Sequence, residues 1–156
     1  MHRVDYLSDP TAPKANSIVV ATSVYVENDE GRVLLILRTD NGLWAMPGGG
    51  MDIGETVLEC AFRETREETG VEVAITSLVG IFTNPAHVVA YPDGEVRQQF
   101  SICLRARPIG GTPHRSDESR DVRWVPRDEL DQLNVDPDTR RRIEYAMRND
   151  QAPHVD

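Results

Sequence analysis

Apolar and polar positions change their rhythm several times along the chain. Residues 17–26 are rich in β-branched side chains, residues 32–37 form a second apolar run, and Asn28-Asp29-Glu30-Gly31 between them has the composition of a tight turn. This predicts a β-hairpin. Asn41-Gly42 marks another turn, and the stretch from Trp44 through Met46, Pro47, Gly48, Gly49 and Gly50 is expected to be a loop, because proline and glycine oppose a helix. Residues 55–69 contain no proline or glycine, begin acidic and stop at Gly70, a residue type that ends helices in the left-handed conformation. A helix is predicted there. Residues 71–83 and 95–107 read as strands, with 87–91 a candidate third and Pro92-Asp93-Gly94 turning the chain before the last. A short strand at 122–125 precedes a basic amphipathic helix that starts at Pro137 and runs to about Arg148.

Strands, helix, strands, helix, with no repeat, predict an α+β fold in which a mixed β-sheet is sandwiched between α-helices. At 156 residues the chain suits one domain, placed at 17–150, after an arm or edge strand at 1–16 and before a frayed end at 151–156. Hydrophobic residues at 39%, gathered into short runs, argue against disorder. Cys60 and Cys103 have no Cys or His neighbour at metal-ligand spacing and read as buried residues, which excludes a disulfide framework. No apolar stretch is long enough to span a bilayer and no apolar leader is present, so a cytoplasmic protein is expected. The net charge of −9 disfavours nucleic acid and acidic membranes as partners, since binding to either is driven by Lys and Arg.

Within the predicted first helix, at roughly 100° per residue, Val57, Leu58, Ala61, Phe62 and Thr65 share one face, expected to pack on the sheet. Glu64, Glu67 and Glu68 stand at i, i+3 and i+4 on a neighbouring face. Like charges stacked this way cost a helix a few tenths of a kcal/mol per pair, roughly, and more when buried, unless cations neutralise them. Arg66 points away from Glu68, whereas Arg63 is one turn from both Glu59 and Glu67 and can brace carboxylates. Oxygen-only ligands suit Mg2+, or Mn2+, rather than zinc. The glycines just ahead of the helix let backbone approach a metal or a phosphate.

These features fall into one spacing: Gly49, five residues, Glu55, seven residues, then Arg63-Glu64-Thr65-Arg66-Glu67-Glu68-Thr69-Gly70-Val71. This resembles the Nudix box, the signature of the MutT/Nudix hydrolases, with every charged and glycine position filled. It departs at Thr65, where an aliphatic residue is usual; a small packing loss is expected there. The resemblance implies metal ligation by Glu64, Glu67 and Glu68, with the carbonyl of Gly48 a further ligand, and support from Gly49, Glu55 and Arg63. It implies a water attacking phosphorus, with Glu64 or Glu67 able to take its proton. The box does not fix the base, and Glu118, in the loop before the 122–125 strand, resembles the late-loop glutamate that often serves. Arg38 resembles a basic position facing substrate phosphates, the alternative being a surface ion pair.

Arg97 and Arg105 are weaker candidates for phosphate contact. His87, His114 and the terminal histidines read as surface or loop residues, Trp44 and Trp124 as packing aromatics, and Arg140-Arg141-Arg142 as solvated residues of the last helix. The implied activity is hydrolysis of a nucleoside diphosphate linked to another moiety, either an ADP-ribose-like sugar nucleotide or a nucleoside triphosphate. Competing readings are a silent nucleotide sensor, against which stand the intact glutamates, and an RNA 5′-pyrophosphohydrolase, against which stands the charge. A homodimer is compatible with the arm, but nothing in the sequence demands one.

Overall fold

The computed structural model describes residues 3–156. The strands are β1 (Val4–Leu7), β2 (Ser17–Val26), β3 (Arg32–Arg38), β4 (Trp44–Ala45), β5 (Gly48–Gly50), β6 (Val71–Phe82), β7 (His87–Ala90), β8 (Val96–Gly111), β9 (Ser119–Pro126) and β10 (His154–Val155). The helices are α1 (Val57–Thr69) and α2 (Pro137–Arg148), with a 3-10 turn at Arg127–Gln132. A mixed seven-stranded sheet runs β1-β7-β8-β2-β5, with β6 continuing along β8 and β10 beyond it; β3 joins β4 and β9 in a second, three-stranded sheet. Successive residues of β2 face opposite sides. Val24 and Val26 pack with Ala61 of α1, while Tyr25 packs with Ile143 and Ala146 of α2. The large sheet is thus sandwiched between the two helices, as expected.

Four local expectations change. The turn at Asn28 forms, its side chain accepting from the amides of Glu30 and Arg32 at 3.1 and 2.9 Å, but only Glu27 and Val33 bridge beyond it. The predicted hairpin splays because β2 pairs along its length with β8 and β3 pairs with β9. The glycine stretch is not a loop: Gly48, Gly49 and Gly50 lie opposite Ser23, Thr22 and Ala21 as an edge strand. Helix α1 begins after Thr56, whose side chain accepts from Glu59 N while the Glu59 carboxylate accepts from Thr56 N. Its buried side is Cys60, Ala61, Thr65, Glu68 and Thr69, whereas Leu58 and Phe62 remain 46% and 39% exposed. Small side chains face inward because the helix rests on a glycine strand.

The end at 151–156, expected to fray, is tied down instead. His154 and Val155 pair in parallel with Gly80 and Ile81 of β6, and Asp156 accepts from Thr83 N at 2.9 Å and Arg141 Nη2 at 2.7 Å. The N-terminal arm contains a true edge strand, β1, antiparallel to β7. Among the described residues no helix is long and apolar enough to cross a membrane.

Candidate active site

The absence of side chains in β5 positions α1. A Cβ on Gly48 would lie 2.1 Å from the Thr22 carbonyl oxygen, and one on Gly49 would lie 2.6 Å from the Glu64 carboxylate. Only glycine lets the strand fit between β2 and the acidic side of the helix. Arg63 then ties strand and helix together. It donates to both oxygens of Glu55, to the Gly50 carbonyl at 3.2 Å, to Glu64 at 2.8 Å and to Glu67 at 3.3 Å. Glu55 lies just outside the helix, and hydrogen bonds from Arg63 and from the Asp52 amide lower its pKa to about 2.

Glu68 is 5% exposed and accepts from the Gly48 amide at 3.1 Å. Its carboxyl is driven toward the protonated form, first by burial and then by Glu64 and Glu118, against the pull of the Gly48 amide. Burial also raises the pKa of Glu64, with Arg63 opposing it. Glu118 arrives on a loop anchored by Ser119 Oγ, which donates to the Glu68 carbonyl at 2.6 Å, and by the Thr39 amide, which donates to the Glu118 carbonyl at 3.1 Å. Glu64, Glu68 and Glu118 therefore form one electrostatic cluster.

The expected trio does not fully assemble. Glu67 is 56% exposed and turned to Arg63. Among the described residues no three carboxylate, histidine or cysteine side chains converge tightly enough to cage a cation as they stand. The donor set nevertheless fits a hard divalent cation: the ligands offered are oxygens only, and a cation would offset the burial, and after it the like charge, that raise Glu64 and Glu68. The cluster opens on a cavity of about 400 Å³ between the two sheets, reached by Gly48, Gly49, Glu68, Glu118 and Arg38.

The NUDIX domain family matches residues 18–146. The chain belongs to the Nudix hydrolases. Its relatives include a MutT-like protein of Streptomyces ambofaciens, 35% identical over 128 residues, or 80% of this chain and 75% of the relative. An ADP-ribose pyrophosphatase of Methanocaldococcus jannaschii is 34% identical over 120 residues, covering 75% of this chain and 67% of that protein. The fold matches a Nudix hydrolase structure from Nitrosomonas europaea with a TM-score of 0.72 at 24% identity, covering 90% of this chain and 78% of that one. The protein is accordingly a hydrolase of pyrophosphate bonds, from a family whose members generally use a divalent metal and act on small nucleotides.

Around the Nudix box, Arg38 is half-buried rather than at the surface. It lines the cavity, and its guanidinium donates from Nε to Asp40 at 3.0 Å. Arg97 also reaches the cavity while held by Glu95, and Arg105 packs over the Tyr25 ring away from it. Trp44 is buried in the core, as expected of a packing aromatic. Sequence reasoning missed a second polar cluster in this Nudix cavity. His87, expected at the surface, is 6% exposed, with Asp5 at 3.6 Å and Asp138 at 3.4 Å from its two ring nitrogens. Burial disfavours its charge, but the two carboxylates outweigh that and push its pKa up to about 9. Arg142, expected to be solvated, is 8% exposed; it pairs with Asp138 at 2.8 Å and donates to Ser101 at 2.8 Å. The i,i+4 spacing of Asp138 and Arg142 was a readable signal. His87 had none, because its partners lie on β1 and α2.

Proposed function

We propose that this Nudix hydrolase is Mg2+-dependent and cuts the diphosphate of a nucleoside diphosphate linked to another moiety, an ADP-ribose-like sugar nucleotide or a nucleoside triphosphate. The observation that carries this reading is the cluster of half-buried Glu64, buried Glu68 and Glu118, which opens through Glu68 and Glu118 on a cavity large enough for a nucleotide. The similarity to an ADP-ribose pyrophosphatase supports the sugar-nucleotide arm. Glu64, Glu67, Glu68 and the Gly48 carbonyl would hold the metal, with Glu67 leaving Arg63 to do so. When bound, the cation supplies charge neutralisation along the diphosphate and lowers the pKa of a nearby water.

The chain's own groups supply the rest. Arg63 fixes Glu64 against β5, and Glu55 fixes Arg63, so the carboxylate next to the diphosphate keeps one orientation. Glu118, tethered through Ser119 and Thr39, takes the proton of the attacking water. Arg38, already oriented by Asp40, faces the non-bridging phosphate oxygens. The test is release of nucleoside monophosphate from ADP-ribose, other nucleoside diphosphate sugars and nucleoside triphosphates, with Mg2+ and with EDTA, alongside a short RNA bearing a 5′ triphosphate. Metal-dependent release from the small compounds is expected. No release from any of them, or release from the RNA alone, removes the proposal.

A further inference from the structure

The cavity crosses the large sheet from β5, next to the acid cluster, to β1 at the opposite edge. That is four inter-strand steps, on the order of 19 Å at ~4.8 Å per step. It is long enough for a nucleoside with its diphosphate, and longer than an inorganic diphosphate needs. Between its ends the cavity is a slot with apolar sides from separate sheets: Val19, Ala21 and Val89 come from the large sheet, and Ile36, Ala45 and Met46 from the small sheet and its connection to β5. The far end is polar. It is built by Arg3 and Asp5 of the arm, His87 of β7 and Arg142 of α2. Arg3 and Asp5 precede residues 18–146, so the shared family domain does not supply them.

Asp5 is the hub of this end. Its carboxylate has Arg3 Nε and His87 Nε2 at 3.6 Å and Arg38 Nη1 at 4.0 Å. These distances hold the charge in place but are too long for hydrogen bonds, so among the described residues no side chain fills its acceptor positions. Among the described residues the buried atoms Arg3 Nε and Arg142 Nε also have no hydrogen-bond partner, although buried polar atoms are nearly always paired. His87 and Arg142 are more than nine-tenths buried. A second anion does not suit this end. Its cations are already matched by carboxylates, Arg3 by Asp5, His87 and Arg142 by Asp138, and Arg97 by Glu95, and Asp5 would repel an anion. A flat, uncharged ring carrying N–H donors suits both the apolar sides and the open carboxylate.

We propose that this far end is the nucleobase subsite, and that Asp5 on the N-terminal strand reads an exocyclic amino group on the base. The inference rests on the reading that the substrate is a nucleoside diphosphate derivative. Asp5 is the specificity-determining residue; Arg3 and His87 are positioning residues that keep its carboxylate aimed into the slot.

The experiment is calorimetric binding of AMP, IMP, GMP, CMP, UMP and ribose 5-phosphate to the full chain in EDTA, so that no turnover is involved. Ribose 5-phosphate is expected to bind at least about tenfold more weakly than the preferred nucleotide. In at least one pair, AMP over IMP or CMP over UMP, the amino-bearing member should win by about tenfold or more. Asp5→Asn should bring that pair within about twofold while leaving ribose 5-phosphate unchanged. A readout that needs no variant is the amide spectrum, in which nucleotides should shift Val4, Asp5 and Tyr6 and ribose 5-phosphate should not. Equal binding of ribose 5-phosphate and nucleotides, or a pair preference that survives Asp5→Asn, overturns the inference. Base-selective binding by a chain that hydrolyses no member of the substrate panel would instead sink the proposed function and leave this subsite standing.

Discussion

His87 keeps its proton well past the pH at which free histidine loses it, so part of the protein's stability is tied to one imidazole. Its side chain is 7% exposed, and Asp138 and Asp5 overcome the cost of burial to push its pKa from 6.5 to about 9. A group that binds its proton more tightly when folded contributes fully below its unfolded pKa, and that contribution is lost as pH rises through the folded value. Here the loss runs from 6.5 to about 9. At ~1.36 kcal/mol per pKa step, the contribution is about 3 kcal/mol near pH 6 and about 1 kcal/mol near pH 8.5. His87→Gln should therefore destabilise the protein by about 2 kcal/mol more at the lower pH than at the higher. The assay is urea unfolding of both proteins in EDTA at the two pH values, with the midpoint difference converted through the measured slope. Glu68 and the buried thiols of Cys60 and Cys103, all with raised pKa, also make stability fall with pH, but both proteins share them and they cancel. A stability difference that stays constant across this range refutes the reasoning, as does an NMR titration in which the His87 ring loses its proton near its ordinary pKa.

Three further outcomes follow from particular contacts. Glu67→Gln should lower turnover by about 10²-fold or more while shifting stability by no more than about 0.5 kcal/mol, because its side chain is 56% exposed; near-normal activity would take Glu67 out of the ligand set. Gly49→Ala places a Cβ 2.6 Å from the Glu64 carboxylate, so Mg2+ affinity measured by calorimetry should fall at least about tenfold, and unchanged affinity would show that Glu64 does not bind the metal from this position. Thr65 is 0% exposed and its hydroxyl has no partner, so Thr65→Val should raise stability by about 1 kcal/mol in urea unfolding; a loss of stability would mean that the hydroxyl is satisfied after all.

The helix and its acidic side were legible because what specifies them is local. The Gly70 stop and the spacing of Glu64, Glu67 and Glu68 lie within one stretch of chain, whereas the Thr56–Glu59 cap moves the start past the expected residue 55. Arg63 was readable as a brace for Glu67, one helical turn away, but the Glu59 partner expected from the same spacing caps Thr56 instead, and Arg63 takes Glu55. The buried face was misjudged by rotation: Ala61 and Thr65 are buried as expected, but counting apolar residues favoured Leu58 and Phe62, whereas Cys60 and Glu68, which meet β5, and Thr69 are buried instead.

What the sequence determined by itself was an α+β chain with a Nudix box on its first helix, since helix stop, periodicity and box are properties of neighbours along the chain. Only the tertiary structure decided that β2 and β3 part into different sheets, that the glycines form an edge strand, that the last residues return to β6 and that His87 sits between two carboxylates. Each of these depends on which distant segment is a better partner than the adjacent one. Long-range pairing is settled by a competition over the whole chain, and no local window contains it.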